Sequence, residues 1–298
     1  MGIQKKEIIN IAYCFDNLTN INYYKYCVTT ICQMISKFSI KNSYHIYILT
    51  NKSFDIDLKP YILRGAKNMR NVEITQLNVD ESKLNEDNTT MKWTVGSYFR
   101  IFLPIVLKNI DKILYFDSDI FFNIDAKEMW DLFDDKYHIQ GHFDTACVDD
   151  YLADYFKNSK IDFVNKRCYV CTGCMIMNLK KIRDDNLCNM MVEQAERGGN
   201  AQHDQTIFNE VCKCGVLPQE FGTIVEWKNG WYWKRFKQNP PPSFALSGYK
   251  IPTFSSHKMS IIHWICLWKP STNGWGLKQR RIWRKIYRGI FKKRLNKK

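Results

Sequence analysis

Residues 113–122 read ILYFDSDIFF and join a short apolar run to two closely spaced carboxylates. The first four residues are apolar, which predicts a buried strand. Asp117 and Asp119 follow it directly, at the carboxyl end of the strand, where open α/β sheets bind their ligands. Two like charges this close resist burial unless a cation lies between them, so the motif suggests a hard divalent metal. The alternative is a polar turn after a core strand, because short motifs also occur by chance.

The segments around this motif alternate between strand and helix patterns. Strands are predicted at 8–15, 44–49, 72–77, 113–116, 139–143, 174–179 and 260–264. Helices are predicted at 23–36, 58–67, 95–107, 126–133, 187–197 and 205–212, the last with Asp204 as its N-cap. Segment 80–90 has the composition of a surface loop, and the aromatic, proline-rich segment 227–242 suits a surface loop or an acceptor cleft. This alternation predicts βαβ units and an α/β fold with a mostly parallel central sheet.

Composition describes a globular chain of 298 residues, 45% of them hydrophobic, with enough apolar surface for one large core or two small ones. No apolar run approaches the ~20 residues that span a membrane. The segment MGIQKKEIINIAYCF lacks the apolar region of a signal peptide, and Lys6 stands where a myristoylation motif has Ser or Thr. We therefore expect a cytoplasmic protein.

The 11 cysteines do not form a disulfide framework, because their number is odd and they are scattered along the chain. Some are spaced like metal ligands, namely Cys168, Cys171, Cys174, Cys212 and Cys214. Cys171 and Cys174, however, belong to an apolar run typical of a strand, on which alternate residues point to opposite faces. Buried cysteines acting as small hydrophobes are therefore the preferred interpretation, and a thiolate site for zinc or an iron–sulfur cluster is the alternative.

The net charge of +14 is concentrated at the end of the chain. From Lys278 to Lys298 there are 11 Lys and Arg and no acidic residue, so the rest of the chain contributes 14 minus 11, or +3. Nucleic-acid binding by the whole domain is therefore not implied. Apolar residues recur in this tail at helical spacing, namely Trp283, Ile286, Tyr287 and Ile290. The pattern predicts a basic amphipathic helix on an anionic membrane, with a solvated or RNA-binding tail as the alternatives.

Six segments together resemble glycosyltransferase family 8, over about 8–269. They are Ala12 to Asn17, SYFRIFLP around Arg100, ILYFDSD, CTGCMIMNLKKIR from Cys171, HDQTIFN from His203, and HWICLWKP from His263. The family includes bacterial lipopolysaccharide galactosyl- and glucosyltransferases and glycogenin.

The resemblance implies a Rossmann-like GT-A fold at 1–270, a UDP-sugar donor, Mn²⁺ or Mg²⁺, and retention at the anomeric carbon. The tail at 271–298 would then hold the enzyme at the inner face of the plasma membrane, near a lipid-linked glycan acceptor. The metal ligands implied are Asp117, Asp119 and His263. The residues implied for the donor are Tyr13, Asp16, Asn17, Arg100, Asp117, Ser118 and Lys269, with Asp144, Asp204 and Gln205 at the transferred galactose or glucose.

These residue types suit the chemistry. Departure of UDP develops negative charge on a phosphate, which a metal and Lys269 would stabilise. Carboxylates and amides form hydrogen bonds with sugar hydroxyls. A nearby carboxylate or amide oxygen would stabilise the positive charge of an oxocarbenium-like anomeric carbon. Whether Gln205 or Asp204 acts as a nucleophile, or the acceptor attacks on the same face, is left open.

The chain departs from the family pattern at several positions in the sugar and phosphate region. Phe15 replaces a carboxylate that is frequent there, Cys171 and Thr172 replace Asn and Ala, Thr206 replaces an acidic residue, and a glycine is missing near Cys266. Donor identity is therefore less secure than metal binding, and an inactive member of the family is an alternative.

Two other classes of protein share part of this sequence pattern. Phosphatases of the haloacid-dehalogenase type also use Asp-x-Asp after a strand, but they place Thr or Val where this chain has Phe121, and place the motif near the N-terminus. A binding module built around the tail would lose its function when Lys278 to Lys298 is deleted, whereas a transferase is expected to keep donor hydrolysis.

Overall fold

The computed structural model describes residues 7–16, 23–66, 69–80, 82, 84, 95–144, 169–198, 203–218, 220–224, 261–263 and 277–291. The strands in this part of the chain are β1 (Ile8–Cys14), β2 (Ser43–Asn51), β3 (Val72–Val79), β4 (Lys112–Phe116), β5 (Ile120–Phe122), β6 (Ile139–Phe143), β7 (Val170–Asn178), β8 (Cys214–Val216), β9 (Thr223–Ile224) and β10 (Ile261–His263). The α-helices are α1 (Tyr23–Ile35), α2 (Lys59–Gly65), α3 (Leu103–Val106), α4 (Ala126–Trp130), α5 (Leu179–Asp184), α6 (Leu187–Arg197), α7 (His203–Val211) and α8 (Leu277–Phe291), and η1 (Val95–Phe102) is a 3₁₀ helix.

Seven of the described strands form the central sheet, in the order β3-β2-β1-β4-β7-β6-β8. Within it, β7 alone runs antiparallel to its neighbours, β4 and β6. The predicted α/β fold with a mostly parallel sheet is therefore confirmed. The chain winds from β1 outward to β2 and β3, then returns to place β4 on the other side of β1. This reversal creates the crevice in which open α/β sheets bind ligands, and Asp16 and Asp117 follow the two strands that flank it.

The core lies on both faces of this sheet. Ile9, Ile11 and Tyr13 of β1 face an apolar layer that includes α1 and α2, whereas Ala12 and Cys14 face a second layer that includes η1 and α7. Successive strand residues point to opposite faces. The nearly continuous apolar run of β1 thus reflects a strand that is covered on both sides.

A smaller described sheet has the order β5-β10-β9. Strand β10 pairs antiparallel with β5, and this pairing sets His263 opposite Ile120. Because Asp119 directly precedes Ile120, the pairing brings two residues that are distant in the sequence to the same place. The small sheet therefore completes the site that begins at the end of β4.

The helix predictions differ from the structure at several points, and α5 was not predicted. The predicted helix at 95–107 is a 3₁₀ helix over η1, followed by the short α-helix α3. Asp204 is not an N-cap, because α7 begins at His203 and Asp204 lies in its first turn. The carboxylate of Asp204 is buried and accepts a hydrogen bond from Thr172.

The C-terminal helix α8 packs against α1 and α2. Trp283 and Ile290 are 3% and 4% exposed, and Ile290 belongs to the same core layer as those two helices. The amphipathic helix predicted for the tail is present, but its apolar side covers the protein body. Those apolar side chains are therefore not available to a membrane.

Among the described helices, none combines the length and the hydropathy required of a membrane span.

A side chain of α1 is hydrogen-bonded to β5, the strand that follows the acidic motif. The buried amide of Gln33 donates to the carbonyl of Phe122 at 2.8 Å and accepts from its N–H at 2.9 Å. Both backbone groups of Phe122 are thus satisfied by one side chain. This pair of bonds fixes β5 to α1.

Substitution Gln33→Leu should lower the free energy of unfolding by about 3 kcal/mol, because it leaves two buried backbone groups of Phe122 without this partner. Urea unfolding followed by circular dichroism measures the change. Lys41→Ala, at an exposed position, is the control. Equal unfolding midpoints for both variants would show that these two hydrogen bonds do not stabilise the fold.

Candidate active site

Asp117 is held at the end of β4 by its neighbours. Its N–H donates to the carbonyl of Gly173 at 2.8 Å, and its carboxylate accepts from the hydroxyl of Tyr115 at 2.7 Å. Tyr115 itself is buried, so its hydroxyl is fixed from within the core. The position of Asp117 is therefore set before any ligand arrives.

Ser118 is directed toward α1 rather than into the crevice. The hydroxyl of Thr30 donates to the Ser118 carbonyl at 2.7 Å, and the Ser118 hydroxyl is hydrogen-bonded to the hydroxyl of Tyr23. Helix α1 thereby sets the turn between Asp117 and Asp119. The Ser118 side chain supports this turn, and its predicted contact with the donor remains a prediction.

The structure brings together Asp117, Asp119 and His263, the three residues that the family resemblance implies as metal ligands. The Nε2 atom of His263 lies 3.3 Å from Asp119 Oδ1 and 3.7 Å from Asp117 Oδ2. One ligand atom from each of the three residues fits within 4.8 Å. In the described part of the chain this is the group of His, Cys, Asp and Glu side chains with the geometry to hold a metal ion.

The surroundings of this triangle fit a divalent cation. Asp119 Oδ1 is buried, and its near polar neighbour among the described residues is His263 Nε2 at 3.3 Å, so both atoms are placed to ligate one cation. A Cβ at Gly173 would lie 2.2 Å from His263 Cε1 and 2.6 Å from Asp117 Oδ2, so a glycine keeps this space open. Two carboxylates with one imidazole suit Mn²⁺ or Mg²⁺.

Cys171 lies behind the imidazole of His263. Its Sγ is 3.5 Å from His263 Nδ1, on the side away from the carboxylates. Burial raises the pKa of the Cys171 thiol. A contact of this kind fixes the ring orientation and leaves Nε2 facing Asp119.

Burial opposes a positive charge on His263, but the neighbouring carboxylate of Asp119 favours it, and the pKa of His263 is raised above its ordinary value. Protonation and metal binding therefore compete for the same nitrogen.

The cysteines do not converge on a thiolate site in the described part of the chain. Cys174 Sγ points to the sulfur of Met129 and Cys212 Sγ to that of Met191, whereas Cys171 faces His263. The preferred interpretation of these residues as buried small side chains agrees with this arrangement. Cys168 lies outside the described residues.

Arg100 joins the metal triangle to the neighbouring acidic residues. Its buried guanidinium lies 2.9 Å from Asp117 Oδ1 and 3.2 Å from Asp204 Oδ2. It also donates to the carbonyls of Thr172 at 2.9 Å and Ser97 at 3.0 Å. The 3₁₀ geometry of η1 presents this side chain to the crevice, and every direction of its fork is used.

Asp204 is the acidic partner of Arg100 on α7. Burial raises the pKa of Asp204 to about 6, although Arg100 and the hydrogen bond from Thr172 favour the ionised form. The hydroxyl of Thr172 donates to the same carboxylate oxygen at 3.0 Å. Asp204 therefore changes charge near neutral pH while remaining fixed in place.

Gln205 and Asp144 form the next part of the site. The Gln205 amide donates to Asp144 Oδ2 at 2.8 Å and accepts from the N–H of Thr172 at 3.2 Å. Asp144 directly follows β6, and its N–H donates to the carbonyl of Tyr169. The predicted group of Asp144, Asp204 and Gln205 thus gathers around Thr172 on β7.

The predicted nucleoside end is only partly described. Asp16 follows β1, is buried, and accepts a hydrogen bond from the N–H of Gly96 at 2.6 Å. The Tyr13 side chain lies in the core, where its hydroxyl donates to the sulfur of Met34, so its side chain does not reach the crevice. Asn17 and Lys269 lie outside the described residues.

The structure adds residues that the sequence did not single out for the site. Thr172 was recognised only as a departure from a family pattern, and Cys171 as such a departure and as a possible thiolate ligand, yet they contact Asp204 and His263. Gly173 leaves room for the triangle, and Tyr115 fixes Asp117. Cys171, Thr172 and Gly173 lie on β7, and Tyr115 lies on the neighbouring strand β4, so the pairing of these two strands is the signal that would have found them.

The doubly wound sheet and the Asp-x-Asp motif at its switch point define a glycosyltransferase of the GT-A fold. The chain belongs to glycosyl transferase family 8, whose family model matches residues 10–272.

Known proteins similar to this chain agree with that assignment. The crystal structure of galactosyltransferase LgtC in complex with donor and acceptor sugar analogues superposes with a TM-score of 0.65 at 14% identity, covering 95% of this chain and 96% of LgtC. General stress protein A of Bacillus subtilis is 22% identical over 227 residues, 70% of this chain and 71% of that protein. A Haemophilus influenzae protein with a provisional glycosyltransferase name is 26% identical over 125 residues, 40% of this chain but only 36% of that protein.

Substitution Gly173→Ala should abolish Mn²⁺ binding, because the added methyl group would occupy the space between His263 and Asp117. Titration of the full-length protein with Mn²⁺, followed by the electron paramagnetic resonance signal of the free ion, measures the affinity. Gly289→Ala is the matched control, since a Cβ there meets nothing within 4 Å. Equal affinity in both variants would contradict the assignment of this space.

Proposed function

We propose that the protein is a retaining hexosyltransferase that moves galactose or glucose from a UDP-sugar to a glycan acceptor. The acceptor is a lipopolysaccharide, a lipooligosaccharide or another cell-surface saccharide. The observation that carries the proposal is the triangle of Asp117, Asp119 and His263 beside the buried network of Arg100 and Asp204. Membership of family 8 and the similarity to LgtC support it.

The three residues of the triangle would hold Mn²⁺ or Mg²⁺, and Lys269 would add a positive charge near the diphosphate. A bound divalent cation supplies electrostatic stabilisation of the negative charge that develops on UDP as it leaves. Asp16 and Asn17 would bind at the uridine end. Tyr13 would contribute there through its backbone, because its side chain is in the core.

The remaining site residues would position the transferred sugar. Arg100 keeps Asp117 and Asp204 at a fixed separation, so the metal triangle and the sugar-binding carboxylate move as one unit. Gln205 and Asp144 offer amide and carboxylate groups to sugar hydroxyls. Asp204 or Gln205 would support the oxocarbenium-like centre, either as a nucleophile or by stabilising attack by the acceptor on the same face.

The membrane contact in this proposal depends on the basic side of α8. Arg281, Arg284, Lys285 and Arg288 are exposed and recur at helical spacing, so they form one cationic stripe. Such a stripe attracts an anionic surface, at about 1 kcal/mol for each side chain near it. We therefore place the enzyme at the inner face of the plasma membrane, with 1–270 as the catalytic domain and 271–298 as the membrane-associating tail.

Release of UDP by the purified protein tests the reaction. With Mn²⁺ and a panel of UDP-sugars we expect release from UDP-galactose or UDP-glucose and none in EDTA. Asp119→Asn should reduce the release at least about 100-fold, since one metal ligand loses its charge. Asp55→Asn, at an exposed carboxylate, should match the wild type. Full activity of Asp119→Asn would overturn the metal assignment. If no UDP-sugar releases UDP and the protein does not bind UDP, the proposed transferase reaction is wrong.

The acid limb of the pH profile of UDP release should have its midpoint near the pKa of Asp204, about 6. The Thr172 hydroxyl donates to the ionised carboxylate, so Thr172→Val raises the pKa of Asp204 and moves the acid limb to higher pH. Thr172→Ser keeps a hydroxyl and should restore the wild-type profile. Coincident profiles for all three proteins would show that Asp204 does not control this limb.

A further inference from the structure

The side of α8 that faces the protein body reaches the strand next to the metal triangle. Trp283 is 3% exposed and packs against Phe121 of β5, which is 1% exposed. Phe121 stands two positions after Asp119. A residue of the C-terminal helix is therefore in contact with a residue two positions from a predicted metal ligand.

Trp283 is held in this position by a stack of aromatic rings. It stacks on Tyr26 of α1 with centroids 5.6 Å apart and on Tyr287 of its own helix with centroids 5.1 Å apart. Tyr26 and Tyr287 also stack on each other at 6.4 Å. The indole therefore has a fixed position against Phe121, and α1 supports it through Tyr26.

Strand β5 is short, so its position depends on packing contacts of this kind. It has three residues, and its described strand partner is β10, on which Ile261 faces Phe122 and His263 faces Ile120. Gln33 holds the backbone of Phe122 on one side, and Trp283 covers the side chain of Phe121 on the other. A shift of β5 would carry Asp119 with it and change its distance from His263.

We infer that Trp283 is a positioning residue of the metal site: through Phe121 it holds β5, and so keeps Asp119 opposite His263. The C-terminal helix then has two roles: its inner side supports the catalytic domain, and its cationic stripe faces the membrane. This differs from the expectation that a protein without its tail would keep donor hydrolysis. The inference rests on the metal site of the proposed function.

Mn²⁺ binding to full-length protein, measured from the resonance signal of the free ion, tests the inference without depending on transfer. Trp283→Ala should weaken Mn²⁺ binding about tenfold, as loss of support around a metal site does. Trp283→Phe keeps an aromatic ring against Phe121, and its affinity for Mn²⁺ should stay within about twofold of that of the wild type. Arg284→Ala, on the exposed side of the same helix, is the control and should not change the affinity.

Stability is measured in parallel by thermal unfolding, because Trp283→Ala also opens a cavity. A lower melting temperature with an unchanged affinity for Mn²⁺ would overturn the inference and leave Trp283 a core residue only. Trp283→Leu keeps an apolar side chain and provides the same comparison should the alanine variant not fold. Absence of Mn²⁺ binding by the wild type would overturn the proposed metal site, and this inference with it.

Discussion

The buried guanidinium of Arg100 is the interaction on which the arrangement of the site depends. Asp117 and Asp204 come from different elements, and both are removed from bulk water to a large extent. Bringing carboxylates together in a crevice costs free energy unless positive charge and hydrogen bonds offset their repulsion. Arg100 supplies the positive charge and the hydrogen bonds, since its guanidinium binds the two carboxylates and two carbonyl groups. Its guanidinium carbon also lies 4.3 Å from the ring centroid of Tyr115. A lysine at this position would supply the charge but not the fork.

The local parts of this design could be predicted from the sequence. Apolar runs and their spacing predicted six of the seven strands of the main sheet but not β8, and the Asp-x-Asp after one of them led to the prediction of a ligand site at that strand end. This works because the signal is contained in a few consecutive residues. Asp117 and Asp119 needed no knowledge of distant segments. His263 did need it, because the register of β10 on β5 places it there, and only the resemblance to a family pointed to it.

Other features lay beyond the sequence because they depend on which surfaces meet. The amphipathic pattern of α8 identified an apolar side correctly, but periodicity does not reveal whether that side covers a membrane or the protein itself. The same limit applies to Tyr13, whose place in the motif suggested a ligand contact while the pleat of β1 turned its side chain into the core. Asp204 was assigned as a cap because its residue type favours that position, and burial beside Arg100 overrides this preference.

The departures from the family pattern are built into the site, which favours an altered site over an eroded one. Thr172 replaces a side chain without a hydroxyl, and its hydroxyl is hydrogen-bonded to Asp204. Cys171 replaces an amide, and its thiol contacts the imidazole that completes the metal triangle. Random loss of function would be expected to leave buried polar groups without partners, since nothing would select for new ones. Here both substituted side chains contact a residue of the candidate site from β7, so neither substitution leaves a buried polar group unpaired.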